Sequence, residues 1–222
     1  RYFVDLSPIT EFLLSICFCE FCSEECIKVG LDIERIRISL REKVLKSLKS
    51  TDSWLGLELN YENVLALFGE DMRKLLDLRM EIVSILHSDI SSLVRLSGIK
   101  SRYLDGSPIS NRNDLNTFTD LWQSGIQRES LLKSFDFIEP LLYRFSTEEN
   151  LSVGKAYVDE FGVDRVVGAL RPAFPDLQRP EDLIERVNTL MDLTHRNLDF
   201  YMFEIIRGSE FKTLINLLNS SS

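Results

Sequence analysis

Apolar residues recur along this chain with two different spacings. From Glu70 to Leu96, Leu75, Leu78, Ile82, Ile85 or Leu86, Ile90 and Leu93 recur every three or four residues. That is the period of one helix face, and it predicts a single long amphipathic helix. Asp32 to Phe68 has the same period and is predicted mostly helical; Trp54 to Leu59 could instead pass as strand, but its neighbours on both sides are helical. In the C-terminal half, short apolar runs alternate with amphipathic segments. Phe135 to Tyr143 reads as a strand followed by a helix from Glu148 to Phe161, which Gly162 ends. Arg165 to Leu170 is a β-branched run, and Pro180-Glu181-Asp182 opens a helix through Met191, proline suiting a first helical turn. Leu198 to Ile205 reads as strand and Ser209 to Leu218 as helix. Upstream, Lys100 to Asp105 is a weaker strand leaving through the turn residues Asp105-Gly106-Ser107-Pro108, with a helix or two between Asn113 and Lys133. Arg1 to Val4 reads as the end of a further strand.

Alternating strand and helix is the signature of a parallel sheet with helical crossovers. The fold class expected is therefore α/β: the C-terminal part of a TIM-type (β/α)8 barrel with about five strands visible. One partial domain would cover residues 1–222, with a mostly helical excursion over 31–98 after the first strand and regular βα units over 99–222. A closed barrel typically needs about 250 residues, and this chain has 222 with many spent on helices. The remaining strands are expected from a missing N-terminal barrel half or a second subunit. The chain opens on Arg rather than Met, which is expected of a processed or truncated piece.

Composition narrows the partners. Lys and Arg number 26 against 35 Asp and Glu, giving a formal net charge of −9, so a nucleic-acid partner is not expected. The most basic stretch, Arg35 to Lys49, interleaves Glu34 and Glu42 at helical spacing and reads as a solvated helix face. No apolar run reaches the roughly 18 to 20 residues that span a bilayer, and a cytoplasmic location without a membrane partner is expected.

All four cysteines fall between Cys17 and Cys26. Cys19 and Cys22 have the spacing of one zinc-binding pair, with Cys17 and Cys26 to complete four ligands. The spacing matches neither ferredoxin pattern for an iron–sulfur cluster. A disulfide, or buried thiols filling a strand-to-helix corner, is the expected reading, so no cofactor is expected, with zinc as the alternative. His87 and His195 lie on separate predicted helices and read as ordinary helix residues. No glycine-rich phosphate loop, H-E-x-x-H pair or G-x-S-x-G elbow is present.

The run Arg1-Tyr2, Ser7-Pro8, Cys17-Phe18-Cys19-Glu20-Phe21-Cys22 and Gly30-Leu31-Asp32 resembles a family of (β/α)8-barrel proteins related to glycoside hydrolases, marked by a CFCxxC segment after a mid-barrel strand. Leu78-Arg79 with Ile82, Leu104-Asp105 with Ser107-Pro108, and Ile138 to Tyr143 are similar to later family segments in the same order. The resemblance implies a glycosidase-like barrel acting on or binding a carbohydrate or other small molecule at the C-terminal face of its strands. The alternatives are a non-catalytic barrel that binds a ligand or partner and a zinc protein using the cysteines. Where the family has Gly-Ile-Glu, this chain has Gly168-Ala169-Leu170-Arg171, and the family's Trp-Asp exit is represented by Phe203-Glu204. Strand-end placement selects Asp105, Glu204 and Glu139 as candidate acids, with Asp105 and Glu204 the expected pair. Tyr2, Tyr143, Arg144 and Arg171 are candidate ligand-binding residues.

Overall fold

The computed structural model describes residues 7–49, 57–106, 117–173, 180–195, 197–201 and 206–220. Helix predominates, at 67%, with nine α-helices among the described residues. In chain order these are α1 (Pro8–Leu14), α2 (Glu20–Lys28), α3 (Ile33–Lys49), α4 (Tyr61–Phe68), α5 (Glu70–Leu96), α6 (Arg128–Ser134), α7 (Thr147–Phe161), α8 (Pro180–Leu193) and α9 (Gly208–Ser220). The strands are β1 (Arg102–Asp105), β2 (Phe137–Pro140), β3 (Gly168–Leu170) and β4 (Leu198–Phe200).

The expected barrel is not formed. The described strands make two two-stranded parallel sheets, β1 with β2 and β3 with β4, joined only by the isolated bridges Ile138↔Val166 and Leu141↔Ala169. Barrel closure demands strands long enough to tilt and stagger around a ring, and these are three or four residues long. The parallel pairing is as expected, whereas the closure is not, and the chain is mainly helical with small parallel sheets. The predicted strand at Arg1–Val4, the turn beyond Gly106 and the last part of the predicted strand over 198–205 lie outside the described residues. Leu57 to Asn60 is irregular rather than helical.

The described residues group into two compact units. The first holds residues up to Ile85 together with Trp122–Gln127. Its core is built from inward stripes: Ile9, Phe12 and Leu13 of α1, Ile33, Ile36, Leu40 and Val44 of α3, and Met72, Leu75 and Leu76 of α5. Trp122 contributes edge-to-face contacts with Phe12 and Tyr61 at centroid separations of 4.9 and 5.4 Å. The basic face of α3 is partly satisfied within this unit: Arg37 pairs with Glu34 at 2.7 Å, Arg35 with Asp71 at 2.5 Å, and the Lys43 ammonium lies 4.7 Å from the Phe68 ring centroid.

The second unit holds Leu86–Leu121 and Arg128–Ser222. Its buried residues include Ile138 of β2, Ala169 and Leu170 of β3, Val153 and Tyr157 of α7, and Leu183, Val187 and Leu190 of α8, with α7 packing on both β2 and α8. Polar groups fix the connections. Ser146 and Glu149 form a reciprocal capping box at the start of α7. Asn150 holds the Arg144 main chain, accepting from its N–H and donating to its carbonyl, both at 3.2 Å. Arg186 donates to the Arg144 and Phe145 carbonyls at 3.1 and 3.0 Å. No helix among the described residues is long and apolar enough to cross a membrane.

Candidate metal centre

The cysteine segment joins α1 to α2, and its geometry follows from how those helices end and begin. Ser7 caps α1 with Pro8 in the first turn, and the helix closes at Ser15, whose hydroxyl donates to the Phe12 carbonyl at 2.6 Å. The chain then leaves helical geometry, leaving Cys17 exposed and tucking Phe18 against the core of the first unit. Cys19 is the N-cap residue of α2, with extended backbone. Cys22 follows three residues later and Cys26 a further turn on, so the helix period places all three on one face. At its far end α2 stops in a Schellman arrangement, Leu31 N–H to the Cys26 carbonyl at 2.9 Å and Gly30 N–H to that of Ile27 at 3.0 Å. This closure requires Gly30 at φ +70°.

One ligand atom from each of Cys17, Cys19 and Cys22 lies within 4.8 Å of the others, and Cys19 Sγ stands 3.6 Å from Cys22 Sγ. All four cysteines are free thiols. Cys26, the expected fourth ligand, is only 1% exposed, lies in the core of the first unit and is not part of this cluster. The three thiols have distinct environments. The Cys22 N–H faces the Cys19 sulfur and holds that thiol below its usual range, helped by the thiols of Cys17 and Cys22, although the approach falls short of a full capping hydrogen bond. Burial pushes the Cys22 thiol up to about 12, and its two thiol neighbours add to the rise. Burial also raises the Cys26 thiol, with the Glu25 charge adding to it.

A cavity of about 140 Å³ opens beside the cluster, its wall combining apolar Ile16, Leu78 and Ile82 with Cys17, Cys22, Cys26 and Arg79. Arg79 comes from α5. Burial lowers the affinity of its guanidinium for its proton, while Cys22 and then Cys17 oppose that effect. Its Nη1 is buried without a hydrogen-bond partner among the described residues. The Arg79 stem passes close to Gly125, where an added Cβ would meet its Cγ at 3.0 Å. The triad is thus an arrangement of soft donors that could bind a metal, with a cation nearby to balance thiolate charge.

Among the other candidate residues that are described, Tyr143 and Arg171 are in contact, while Asp105 and Glu139 have separate partners. Asp105, at the end of β1, is 2% exposed and accepts from the Tyr157 hydroxyl at 2.7 Å. Glu139 pairs in register with Leu104, whereas Asp105 pairs with Pro140, so strand alternation sends the two acids to opposite faces of the β1–β2 sheet. Glu139 meets Arg102 at 3.5 Å, and Arg102 also pairs with Asp199, a carboxylate the sequence reading did not single out. Burial raises the Glu139 carboxyl above its usual range, Asp199 adds to the rise and Arg102 opposes it. Tyr143 is buried beneath Arg171, whose guanidinium carbon lies 4.7 Å from the ring centroid. Arg144 is buried and held in the main-chain network with Asn150. Tyr2 and Glu204 lie outside the described residues, so the expected Asp105–Glu204 separation is not defined.

Comparison of the chain with known protein families, with curated proteins and with solved structures finds no match.

Proposed function

We propose that this chain is a metal-thiolate protein in which Cys17, Cys19 and Cys22 hold one zinc ion and leave a fourth coordination position open. The reading is carried by the convergence of three sulfur atoms within 4.8 Å, drawn from six consecutive residues. Zinc–sulfur bonds of about 2.3 Å put tetrahedral thiolates about 3.8 Å apart. Cys19 and Cys22 are already at 3.6 Å. Drawing in the third sulfur takes about 1 Å, which a rotamer adjustment of the exposed Cys17 supplies. Thiolate donors favour zinc and cuprous ions over magnesium or calcium. Three thiolates around a divalent ion carry one net negative charge, and the Arg79 guanidinium lies where it offsets that charge. Cys26 is buried and its sulfur stands outside the cluster, so it is not counted among the ligands.

Cobalt titration of reduced, metal-free chain tests this directly. Thiolate-to-cobalt charge-transfer absorption is expected to saturate at one ion per chain and to be abolished by stoichiometric zinc. Serine at position 17, 19 or 22 is expected to weaken binding by at least about tenfold, the low end for disturbing even an outer-sphere partner. Cys26→Ser is expected to bind as the parent does. No saturable absorption, or an equal loss in Cys26→Ser, overturns the proposal.

A further inference from the structure

We infer that Cys19 and Cys22 also form a thiol–disulfide exchange pair, which reacts with small-molecule disulfides and, on closing, removes two of the three thiolates at the cluster. Their Sγ atoms are 3.6 Å apart in the dithiol form. A disulfide bond is about 2.05 Å long, so closure needs about 1.5 Å of approach. The two residues occupy the N-cap and first turn of a nine-residue helix, a placement whose local backbone brings i and i+3 side chains together. Closure therefore needs side-chain rotation and no rearrangement of helices.

The pair is asymmetric in access. Cys19 is exposed, while Cys22 is half-buried and lines the cavity beside Ile16 and Phe21. Of the pair, an incoming disulfide therefore meets Cys19 before Cys22. The Cys19 thiolate attacks one sulfur of RS–SR, forming a Cys19–SR mixed disulfide and expelling RS⁻. Cys22, having released its proton to solvent, then attacks Cys19 Sγ, closes the intramolecular disulfide and expels the second RS⁻. Two electrons pass from the protein pair to the incoming disulfide, and the two departing thiolates take up two protons. Cys17 remains a thiol, and Cys26 stays enclosed in the core.

The exchange chemistry stands without a bound ion. Only the accompanying loss of metal rests on the zinc reading, because Cys17 alone cannot retain an ion that three thiolates held.

The test uses the full chain, metal-free and zinc-loaded, incubated with oxidised glutathione, acid-quenched, alkylated and mapped by mass spectrometry. The expected product is a Cys19–Cys22 disulfide with Cys17 and Cys26 alkylated. In Cys22→Ser the reaction should stop at glutathione on Cys19, and Cys26→Ser should behave as the parent. From the zinc-loaded chain, a chromophoric indicator should register one zinc released per disulfide closed. Failure to form the Cys19–Cys22 disulfide in metal-free chain, or a Cys22→Ser variant that captures no glutathione on Cys19, overturns the exchange inference. A disulfide that forms normally in a chain that never bound zinc upholds the exchange and overturns the metal reading instead.

Discussion

Replacing Tyr157 by Phe removes a single oxygen from the centre of the second unit. Tyr157 is fully buried, and its hydroxyl donates to Asp105 Oδ2 at 2.7 Å. Phe keeps the ring and leaves no cavity of consequence, so the change isolates the hydrogen bond. A bond from a neutral donor to a carboxylate contributes about 1.5 to 3 kcal/mol, since a buried acceptor is then left short of a donor. Asp105 retains further contacts, which places the expected loss near 1.5 to 2 kcal/mol. With a urea slope of about 2 kcal/mol per molar, the midpoint should fall by about 1 M. Far-UV circular dichroism would follow the unfolding, and amide exchange across β1 and α7 would assign the loss to this unit. A double-mutant cycle with Asp105→Asn should return a coupling of about 1 kcal/mol or more. A Tyr157→Phe loss below about 0.5 kcal/mol refutes the argument that this hydrogen bond stabilises the unit.

Two further perturbations probe other points of the structure. His87 packs between the rings of Tyr103 and Phe135, at 5.7 and 5.1 Å between centroids, and burial holds its pKa below the ordinary 6.5. Its neutral form is favoured by folding, so its stabilisation is complete above pH about 6.5 and is lost as pH falls through the depressed value; His87→Leu should flatten urea midpoints across that window, and an unchanged slope counts against it. Gly125 has φ +73° and stands against the Arg79 stem, so Gly125→Ala combines left-handed backbone strain with a 3.0 Å contact. Equilibrium unfolding should show a loss of about 1 to 2 kcal/mol, and a neutral result would mean that Arg79 gives way freely.

The local rhythms of the chain were legible, while the global arrangement was not. The helical period over Glu70–Leu96 corresponds to α5 over its full length. Periodicity did not reveal coverage, however: Leu75, Leu76 and Leu78 are buried, whereas Leu86, Ile90 and Leu93 of the same stripe are exposed, Leu93 by 67%. Which part of an apolar face is covered depends on elements distant in sequence. The strand pattern gave the order and the parallel pairing, but extended the strands too far. Arg165, read as the start of a strand, closes a 3-10 turn after Gly162 at φ +86° and donates to the Leu132 carbonyl at 2.9 Å. Barrel closure depends on strand number and stagger around a complete ring. No local alternation of strand and helix encodes either quantity.

The candidate metal centre divides along the same line. Its donor geometry is local: an N-cap cysteine, a second cysteine three residues on, and a third delivered from the end of α1. That much is legible in the spacing of Cys17, Cys19 and Cys22. The exclusion of Cys26 is not legible there, because its spacing keeps it on the same face of α2 as Cys19 and Cys22, and only packing within the first unit buries it. The electrostatic setting is tertiary. Arg79 lies 57 residues beyond Cys22 in sequence and reaches the cavity only because α5 packs within the first unit, with Gly125 leaving room for its stem. Serine at a ligand position should therefore remove binding while leaving the fold of the unit intact. Arg79→Met should leave the three thiols in place and weaken the hold on an anionic metal-thiolate centre, because it removes the offsetting charge and none of the donors.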